Sequence, residues 1–348
     1  DAKRMDMFSI YGIYAALEAA EMSGLDFDKE DMNRVGVIVG SGIGGLPTIQ
    51  DQVTRMNEKG MKRVAPLFVP MAIVNMAAGN IALKLGAKGI CTSVVTACAS
   101  GTNSIGDAFR NIKHGYSDVI FAGGSEASIC EIGIAGFASL TALSNTEDPL
   151  RASIPFDKDR NGFVMGEGAG ILVLESLEHA QARGANILAE VVGYGANCDA
   201  YHMTSPTPDG SGAAKAMELA LEEAGITPNQ VGYINAHGTS TQANEKGESQ
   251  AIERVFGTDE FTKVTSTKSL TGHLLGAAGG IEAIATLQSL ENQFIPATQG
   301  TKELGEEINI HVVTGTGVDH SFDYAISNSL GFGGHNAVIC LKKWSEEV

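Results

Sequence analysis

Two widely separated stretches of this chain repeat one order of helix, glycine stop and short apolar strand. In each copy the helix carries apolar residues at helical spacing, and the strand is short enough to be buried. The corresponding segments of the first and second copies are the helical pattern (15–20 and 216–221), the glycine stop (23–25 and 224–226) and the strand (35–41 and 231–237). The repeat predicts two similar halves related by a pseudo-twofold axis.

The same order continues beyond the first strand of each copy. A strand, a reactive residue and a helix follow at residues 92–113 and again at 264–290, and a closing strand follows at 119–124 and 324–329. Alternating strands and helices predict mostly parallel sheets covered by helices, which is an α/β fold.

The boundary between the copies is predicted near residue 185. A polar, glycine-rich segment (157–170) is followed by an apolar strand (171–174) and by a helix that ends at Gly184. We therefore expect an N-terminal half at 1–185 and a C-terminal half at 186–348. No linker-like composition separates them, so a tight interface is expected.

Charge and cysteine usage exclude several classes of protein. The net charge of -17 and pI of about 4.8 argue against general nucleic-acid binding. Five cysteines without a CxxC pair make a disulfide framework or a zinc site unexpected, which fits a reducing cytoplasm. We find no signal peptide or membrane-spanning run, so membrane insertion is not expected. The chain begins at Asp1 directly before a helical pattern, as if its natural beginning were missing.

A cysteine stands where a predicted strand meets a predicted helix. Cys98, within residues 96–101, follows the apolar run 89–95 and precedes the helical run 103–110. The free N–H groups and the positive dipole end of that helix favour a thiolate, whereas an unperturbed cysteine has a pKa of about 8.5. Cys98 is thus a candidate nucleophile; the alternative is a small buried apolar side chain.

Three further clusters carry polar residues beside glycines, at residues 235–241, 266–280 and 328–336. If each residue is considered alone, the simplest interpretation is a structural role for His237 and His273. By the same reasoning, Lys268 is a surface charge and Phe332 is a core side chain. Together, a cysteine turn and two histidines at strand ends in a duplicated α/β frame predict an acyl-transfer site. A structural role is expected for the remaining histidines: His114, His179, His202, His311, His320 and His335.

The whole chain resembles the β-ketoacyl-acyl carrier protein synthases, most closely the elongating KAS II type. The matching motifs are residues 96–101, 237–241, 268–273 and 328–336. The resemblance implies a thiolase-like duplicated fold with five layers, α/β/α/β/α, two mixed and mostly parallel sheets, and a homodimer. Relatives begin with a further strand and helix that this chain lacks.

The resemblance also implies the reaction, a decarboxylative condensation of an acyl thioester with malonyl-acyl carrier protein. Cys98 carries the acyl group, while His237 and His273 donate hydrogen bonds from Nε2 to the malonyl thioester oxygen. The main-chain N–H groups of Cys98 and Phe332 resemble the oxyanion hole, and Phe332 also matches a gating residue. Lys268 sets the charge around His273. No cofactor of its own and no catalytic metal are expected, because the substrates are carried on the phosphopantetheine of acyl carrier protein.

Substrate and partner positions follow from the same resemblance. Thr239 and Thr241 match threonines that bind the phosphopantetheine arm. The other substrate-binding positions are Ile43, Phe137 and Ser205. The basic residues Lys3, Arg4, Lys62 and Arg63 resemble a docking surface for the acidic carrier protein; the alternative is ordinary solvated charge. A structural cation is also possible near Asn235, Glu282, Ser327 and Asn328.

Several alternatives stay open. Thiolases use a second cysteine, and KAS III-type initiators use Cys, His and Asn, so two histidines favour the elongating type over both. A KAS I-type enzyme or a polyketide ketosynthase is the nearest alternative. A non-condensing scaffold partner is the alternative from another class, although such chains usually lose the nucleophile that Cys98 retains.

Overall fold

The computed structural model describes residues 2–345, and these form an α/β protein. The helices are α1 (Met7–Ser23), α2 (Leu46–Lys59), α3 (Phe68–Ala72), α4 (Met76–Leu85), α5 (Ser100–Lys113), α6 (Glu131–Ser139), α7 (Leu177–Ala182), α8 (Ser211–Ala224), α9 (Gln242–Phe256), α10 (Lys268–Thr271) and α11 (Ala278–Asn292). The strands are β1 (Val35–Gly40), β2 (Cys91–Thr92), β3 (Val119–Glu126), β4 (Gly168–Glu175), β5 (Ala189–Cys198), β6 (Val231–Asn235), β7 (Lys263–Thr265), β8 (Phe294–Ile295), β9 (Val318–Asp319), β10 (Tyr324–Gly331) and β11 (His335–Lys343).

The chain divides into two contact units. The first contains residues 2–140, 166–185 and 274–281, and the second contains 141–165, 186–273 and 282–345. Two segments, 141–165 and 274–281, therefore belong to the unit of the opposite half of the chain. The division into halves 1–185 and 186–348 stays a prediction, because the two units are defined by spatial contacts and the halves by a repeat in the sequence. Residues 1 and 346–348 lie outside the described part.

The sheet of the first unit is mixed. Its described strands follow the order β2-β1-β3-β4, in which β1 is parallel to β2 and β3, and β3 is antiparallel to β4. The apolar core of this unit contains Phe8, Val37 and Phe121, none of which is exposed. Full burial of β1 and β3 explains why they read as continuous apolar runs rather than alternating ones.

The larger sheet of the second unit repeats this arrangement and adds one strand. Its order is β5-β11-β10-β6-β7, with β6 parallel to β7 and β10, and β10 antiparallel to β11. Reading from β7, the strands β7-β6-β10-β11 match β2-β1-β3-β4 in order and in direction. This shared topology is what the sequence repeat predicts for each half, whereas the five-layer stacking stays a prediction.

Helix ends follow the local sequence signals. The carboxylate of Asp6 accepts a hydrogen bond from the N–H of Phe8 at the start of α1, and Gly24 ends that helix with φ of 65°. Gly225 ends α8 in the same left-handed conformation, with φ of 68°. Glycine adopts this conformation without steric cost, so the predicted glycine stops are confirmed.

One predicted element is shorter than expected. The apolar run 89–95 is a strand at Cys91–Thr92 only, where it pairs with Val37 and Ile38 at the edge of its sheet. Both strand residues are exposed, so burial of side chains does not favour a longer strand here. Among residues 2–345, no helix has both the length and the apolar character needed to cross a bilayer.

Candidate active site

The predicted nucleophile lies on a strained turn in the first unit. Cys98 is in a single 3-10 turn, Ala97–Ala99, directly before α5, and is 9% exposed. Ser100 Oγ donates to the carbonyl of Ala97 (2.7 Å) and accepts from the N–H of Thr96 (2.9 Å). Ala97 has φ of 50°, a conformation that costs about 1–3 kcal/mol outside glycine and is common at functional sites. The turn before a helix is thus confirmed, while the thiolate character of Cys98 stays a prediction.

In the second unit, a buried carboxylate fixes the turn that carries His237. Glu248, on α9, is 1% exposed. Its Oε1 accepts from the N–H of His237 (2.7 Å), and its Oε2 accepts from the N–H of Gly238 (2.9 Å). Gly238 has φ of 35°, and a Cβ there would lie 2.5 Å from the Cβ of Ser266. His237 therefore leaves the end of β6 in one fixed direction, as its strand-end position predicts.

His273 is placed differently from the prediction. It does not end a strand but follows the one-turn helix α10 and Gly272, and its N–H donates to the carbonyl of Val164 (2.7 Å). Its ring lies 5.2 Å from that of His237, nearly perpendicular at 86°. Phe163 packs edge-on against His273, with 5.2 Å between the two ring centroids. The structure therefore brings the two predicted histidines together.

The two imidazoles lie in a dry environment beside one positive charge. His237 and His273 are each 3% exposed, and burial lowers the pKa of both well below 6.5. The positive charge of Lys268 lowers both pKa values further, and His273 adds to the effect on His237. Both rings are consequently neutral near pH 7. A neutral imidazole has one N–H donor and one acceptor nitrogen, so each ring can donate one hydrogen bond to an oxygen.

Lys268 is a buried cation rather than a surface charge. It is 1% exposed, and its Nζ forms an ion pair and hydrogen bond with Oε1 of Glu282. Burial raises the pKa of Glu282, and the positive charge of Lys268 partly opposes this rise. Ser153 Oγ donates to the carbonyl of Lys268 (2.7 Å), which holds the start of α10. Lys268 thus acts electrostatically on the histidine pair while its own ammonium is held by Glu282.

The two threonines after His237 share one hydrogen bond. Thr239 Oγ1 and Thr241 Oγ1 are 3.0 Å apart, and Thr241 caps α9. Ser240, between them, has φ of 73°, and its N–H donates to Glu245 Oε1 (3.1 Å). Glu245 in turn lies 3.1 Å from the guanidinium of Arg160, and both side chains are completely buried. This ion pair fixes the backbone on which the threonine hydroxyls stand.

The other predicted positions are spread over both units. Phe332 is half-buried in the second unit, in the turn between β10 and β11, where Gly333 and Gly334 have φ of 86° and 75°. Ser205 is also in the second unit, in an exposed loop. The first unit contains half-buried Ile43 and Phe137, and the exposed basic residues Lys3, Arg4, Lys62 and Arg63. The roles of all these residues stay predictions.

Three buried oxygens without a hydrogen-bond partner lie on residues that the resemblance names for a structural cation. Within residues 2–345, Glu282 Oε2, Ser327 Oγ and Asn328 Oδ1 have no hydrogen-bond partner. Ser327 is paired with Asn235 in the sheet, and Asn235 Nδ2 donates to the carbonyl of Glu282 (3.3 Å). Oxygen atoms of this kind suit a hard cation, which would satisfy them. Across residues 2–345, no group of three or more His, Cys, Asp or Glu side chains is arranged to hold a metal.

Two glutamates in these networks escaped sequence reasoning. Glu248 holds the His237 turn from a helix, and Glu126 holds the Ile43 turn from the end of β3. Both glutamates accept hydrogen bonds from main-chain N–H groups, which every non-proline residue has, in addition to side-chain donors. No local sequence signal therefore marks either position.

Comparison with known proteins gives the family. Residues 1–180 match the model of the β-ketoacyl synthase N-terminal domain, and residues 188–302 match that of the C-terminal domain. A Staphylococcus aureus protein named 3-oxoacyl-[acyl-carrier-protein] synthase 2 is 50% identical over 345 residues, covering 99% of this chain and 83% of that protein. A Synechocystis protein of the same name is 49% identical, with the same two coverages.

Solved structures agree with the sequence relatives. A β-ketoacyl synthase from Burkholderia phymatum matches with a TM-score of 0.92 and 36% identity, over 98% of this chain and 83% of that one. A type II PKS acyl-carrier protein in complex with its ketosynthase bound to the hexaketide matches with a TM-score of 0.94 and 33% identity, over 97% and 85%. These matches confirm the predicted thiolase-like α/β fold. The chain belongs to the β-ketoacyl synthase family and is an acyltransferase, an elongating condensing enzyme of fatty-acid synthesis.

Proposed function

We propose that Cys98 is the acyl-accepting nucleophile of this condensing enzyme and that its substrates arrive on acyl carrier protein. In the first step the Cys98 thiolate attacks the carbonyl of an acyl thioester. The carrier's thiolate leaves and takes a proton, and the acyl group remains on Sγ. The position of Cys98, on a turn directly before α5, supports this role because the first N–H groups of a helix stabilise negative charge on sulfur.

His237 and His273 carry the second step. Malonyl-carrier protein loses carbon dioxide, and the electron pair of the broken carbon–carbon bond forms an enolate. The negative charge then lies on the thioester oxygen, to which each neutral imidazole donates one hydrogen bond. Preset donors of this kind typically contribute about 10²–10³ in rate each. The buried pair of rings 5.2 Å apart, kept neutral by burial and by Lys268, is the observation that carries this proposal.

The third step forms the new carbon–carbon bond. The enolate carbon attacks the carbonyl of acyl-Cys98, and the resulting oxyanion is stabilised by the main-chain N–H groups of Cys98 and Phe332. Collapse of this intermediate releases the Cys98 thiolate and a β-ketoacyl chain two carbons longer. Thr239 and Thr241 bind the phosphopantetheine arm through their hydroxyl groups. No cofactor of the protein's own takes part.

The test uses purified acyl- and malonyl-carrier protein. Cys98→Ala abolishes condensation, whereas Cys98→Gln, which mimics the acylated side chain, still releases carbon dioxide from malonyl-carrier protein. Cys340→Ala is the matched control, because Cys340 is also a buried thiol but lies in the middle of β11. Condensation by Cys98→Ala at the wild-type rate contradicts the proposal.

Partner and assembly proposals follow from the surface. Lys62 and Arg63 are exposed together on the turn after α2 and form a local positive patch on an acidic protein. We expect the acidic carrier protein to dock there, with Lys3 and Arg4 adding to the patch. Among the described strands, β2 is at the edge of its sheet, and because a sheet edge can pair with a strand of a second copy, we propose a homodimer that forms through this edge. A cytoplasmic location stays a prediction.

The polyketide alternative has less support. The sequence relatives at 49–50% identity are named 3-oxoacyl-[acyl-carrier-protein] synthase 2, while the type II PKS ketosynthase structure matches at 33% identity. Cys98 is present, which argues against a non-condensing scaffold.

A further inference from the structure

Glu126 is a buried carboxylate that holds two separate turns of the first unit. It is the last residue of β3 and has no exposed surface. Its Oε2 accepts from the N–H of Gly42 (2.7 Å) and from the N–H of Gly276 (3.1 Å). One oxygen atom therefore joins the turn after β1 to the turn after His273.

The second oxygen of Glu126 fixes the conformation of the Ile43 turn. Oε1 accepts from Ser41 Oγ (3.0 Å) and from the N–H of Ile43 (3.3 Å). Ser41 Oγ also accepts from the N–H of Gly44 (3.0 Å), which closes the turn. Three consecutive N–H groups, from Gly42 to Gly44, thus depend on Glu126 directly or through Ser41. These hydrogen bonds fix the main chain from which the Ile43 side chain leaves the turn.

The Ile43 turn also lies against the nucleophile turn, and the Gly276 turn lies against the Ile43 turn. A Cβ added at Gly42 would lie 2.8 Å from Glu126 Oε2 and 3.4 Å from the carbonyl oxygen of Ala97. A Cβ added at Gly276 would lie 2.1 Å from the nitrogen of Gly42. At such short distances the backbone segments have no space to move relative to each other. A shift of the Ile43 turn is therefore felt next to Cys98.

Burial of this anion is costly, which argues that it is kept for a purpose. Burial raises the pKa of Glu126, and the hydrogen bonds from Gly42, Ser41, Gly276 and Ile43 oppose that rise. A neutral amide of the same shape would offer one acceptor oxygen and one NH₂ group. The NH₂ group would face N–H donors wherever it pointed, because both carboxylate oxygens accept from the main chain.

We infer that Glu126 is a positioning residue that fixes the Ile43 turn and through it sets the preference of the enzyme for acyl-chain length. This inference rests on the proposed function and on the resemblance, which implies that Ile43 is a substrate-binding position. Glu126 touches no reacting atom and acts through the turn.

The test compares Glu126→Gln, Ile43→Ala and the double variant with the wild-type enzyme. The readout is the ratio of kcat/KM for tetradecanoyl- to hexanoyl-carrier protein in condensation. A misplacement of about 1 Å costs about 10²-fold, so we expect Glu126→Gln to change this ratio by about tenfold. Because Glu126 acts through the turn that carries Ile43, the two effects must be non-additive in the double variant. A ratio within about twofold of wild type in Glu126→Gln, or strictly additive effects, overturns the inference.

Two further variants separate positioning from general destabilisation. Glu126→Asp keeps the charge but withdraws it by one methylene, so it also changes the ratio, and it replaces Glu126→Gln if that variant does not fold. Glu175→Gln is the matched control: Glu175 lies at the end of β4, its side chain is 10% exposed, and it pairs with Arg183 and His179 away from the Ile43 turn. An equal change of ratio in Glu175→Gln overturns the inference. Retained condensation by Cys98→Ala would instead overturn the proposed function, so the two failures are distinguishable.

Discussion

Replacing Lys268 by methionine removes one member of a buried ion pair and leaves the other. Lys268 and Glu282 have side chains that are 1% and 3% exposed, and Nζ of Lys268 is bound to Oε1 of Glu282. Loss of one partner of such a pair costs about 3–5 kcal/mol, because the remaining charge has no compensation. We expect Lys268→Met to lower the free energy of unfolding in urea by about that amount.

The double variant Lys268→Met with Glu282→Gln tests whether the unpaired carboxylate causes this loss. Replacing both charges by neutral groups of similar size is often close to neutral. The double variant should therefore recover at least about 2 kcal/mol relative to Lys268→Met. A double variant as unstable as the single one would refute the reasoning, because the cost would then lie in packing rather than in charge.

The same pair of variants tests the electrostatic role of Lys268 on the histidines. Without the ammonium, the pKa values of His237 and His273 rise, yet they stay below 6.5 because burial remains. NMR titration of the imidazole Cε1–H signals in the double variant measures the rise. Unchanged pKa values would show that Lys268 does not set the charge of the pair.

The lowered histidine pKa values also make stability depend on pH. Below about pH 6.5 the unfolded chain binds protons at these histidines while the folded protein does not. Their contribution is thus complete above about pH 6.5 and is lost as the pH falls, by up to about 1.4 kcal/mol per pH unit for each ring. In the double variant this loss begins at the same pH but ends at a higher one.

Three further outcomes are expected. Decarboxylation of malonyl-carrier protein by Cys98→Gln should change less than about twofold from about pH 8 to pH 6, whereas an ordinary imidazole would become about three-quarters protonated; a carbon dioxide release assay with a clear break near pH 6.5 contradicts this. Lys62→Glu with Arg63→Glu should raise the KM for carrier-bound substrate and leave small thioesters unaffected, with exposed Lys84→Glu as control; unchanged carrier kinetics remove the docking proposal. Arg160→Met should lower the free energy of unfolding by about 3–5 kcal/mol when measured above about pH 8, because burial raises the pKa of Glu245 to about 7 and the carboxylate is then charged and buried without its cation; a loss below about 1 kcal/mol in urea unfolding speaks against that pairing.

The sequence predicted those features that have a local signal. Gly24 and Gly225 marked helix ends because only a left-handed residue closes such a helix without strain. The buried strands β1, β3 and β6 were visible as apolar runs, and β10 was predicted as the closing strand of the second copy. The pairing of His237 with His273 was predicted from their motifs, and the two rings do lie 5.2 Å apart. The charge of Lys268 also acts on His237.

Features that depend on distant partners were not predictable. The run 89–95 has the composition of a buried strand, yet an edge position restricts pairing to Cys91–Thr92. His273 follows a glycine-rich turn because its main chain pairs with Val164, more than a hundred positions earlier. In the sequence, nothing distinguishes Glu126 and Glu248 from other glutamates. The N–H groups that donate hydrogen bonds to them belong to segments that only the fold brings close.

The strand orders β2-β1-β3-β4 and β7-β6-β10-β11 match, so several site residues of one sheet have a topologically equivalent position in the other. Ile43 and His237 follow equivalent strands, as do Cys98 and Lys268, and Glu126 and Phe332 stand where β3 and β10 finish. An ancestor with two identical copies would have presented one set of side chains twice. Under the proposed function, the first copy would hold the acyl group on Cys98, and the second would stabilise the enolate oxygen with His237 and His273. Swapping residues between equivalent positions is therefore a direct way to retrace how a symmetric precursor acquired a division of labour.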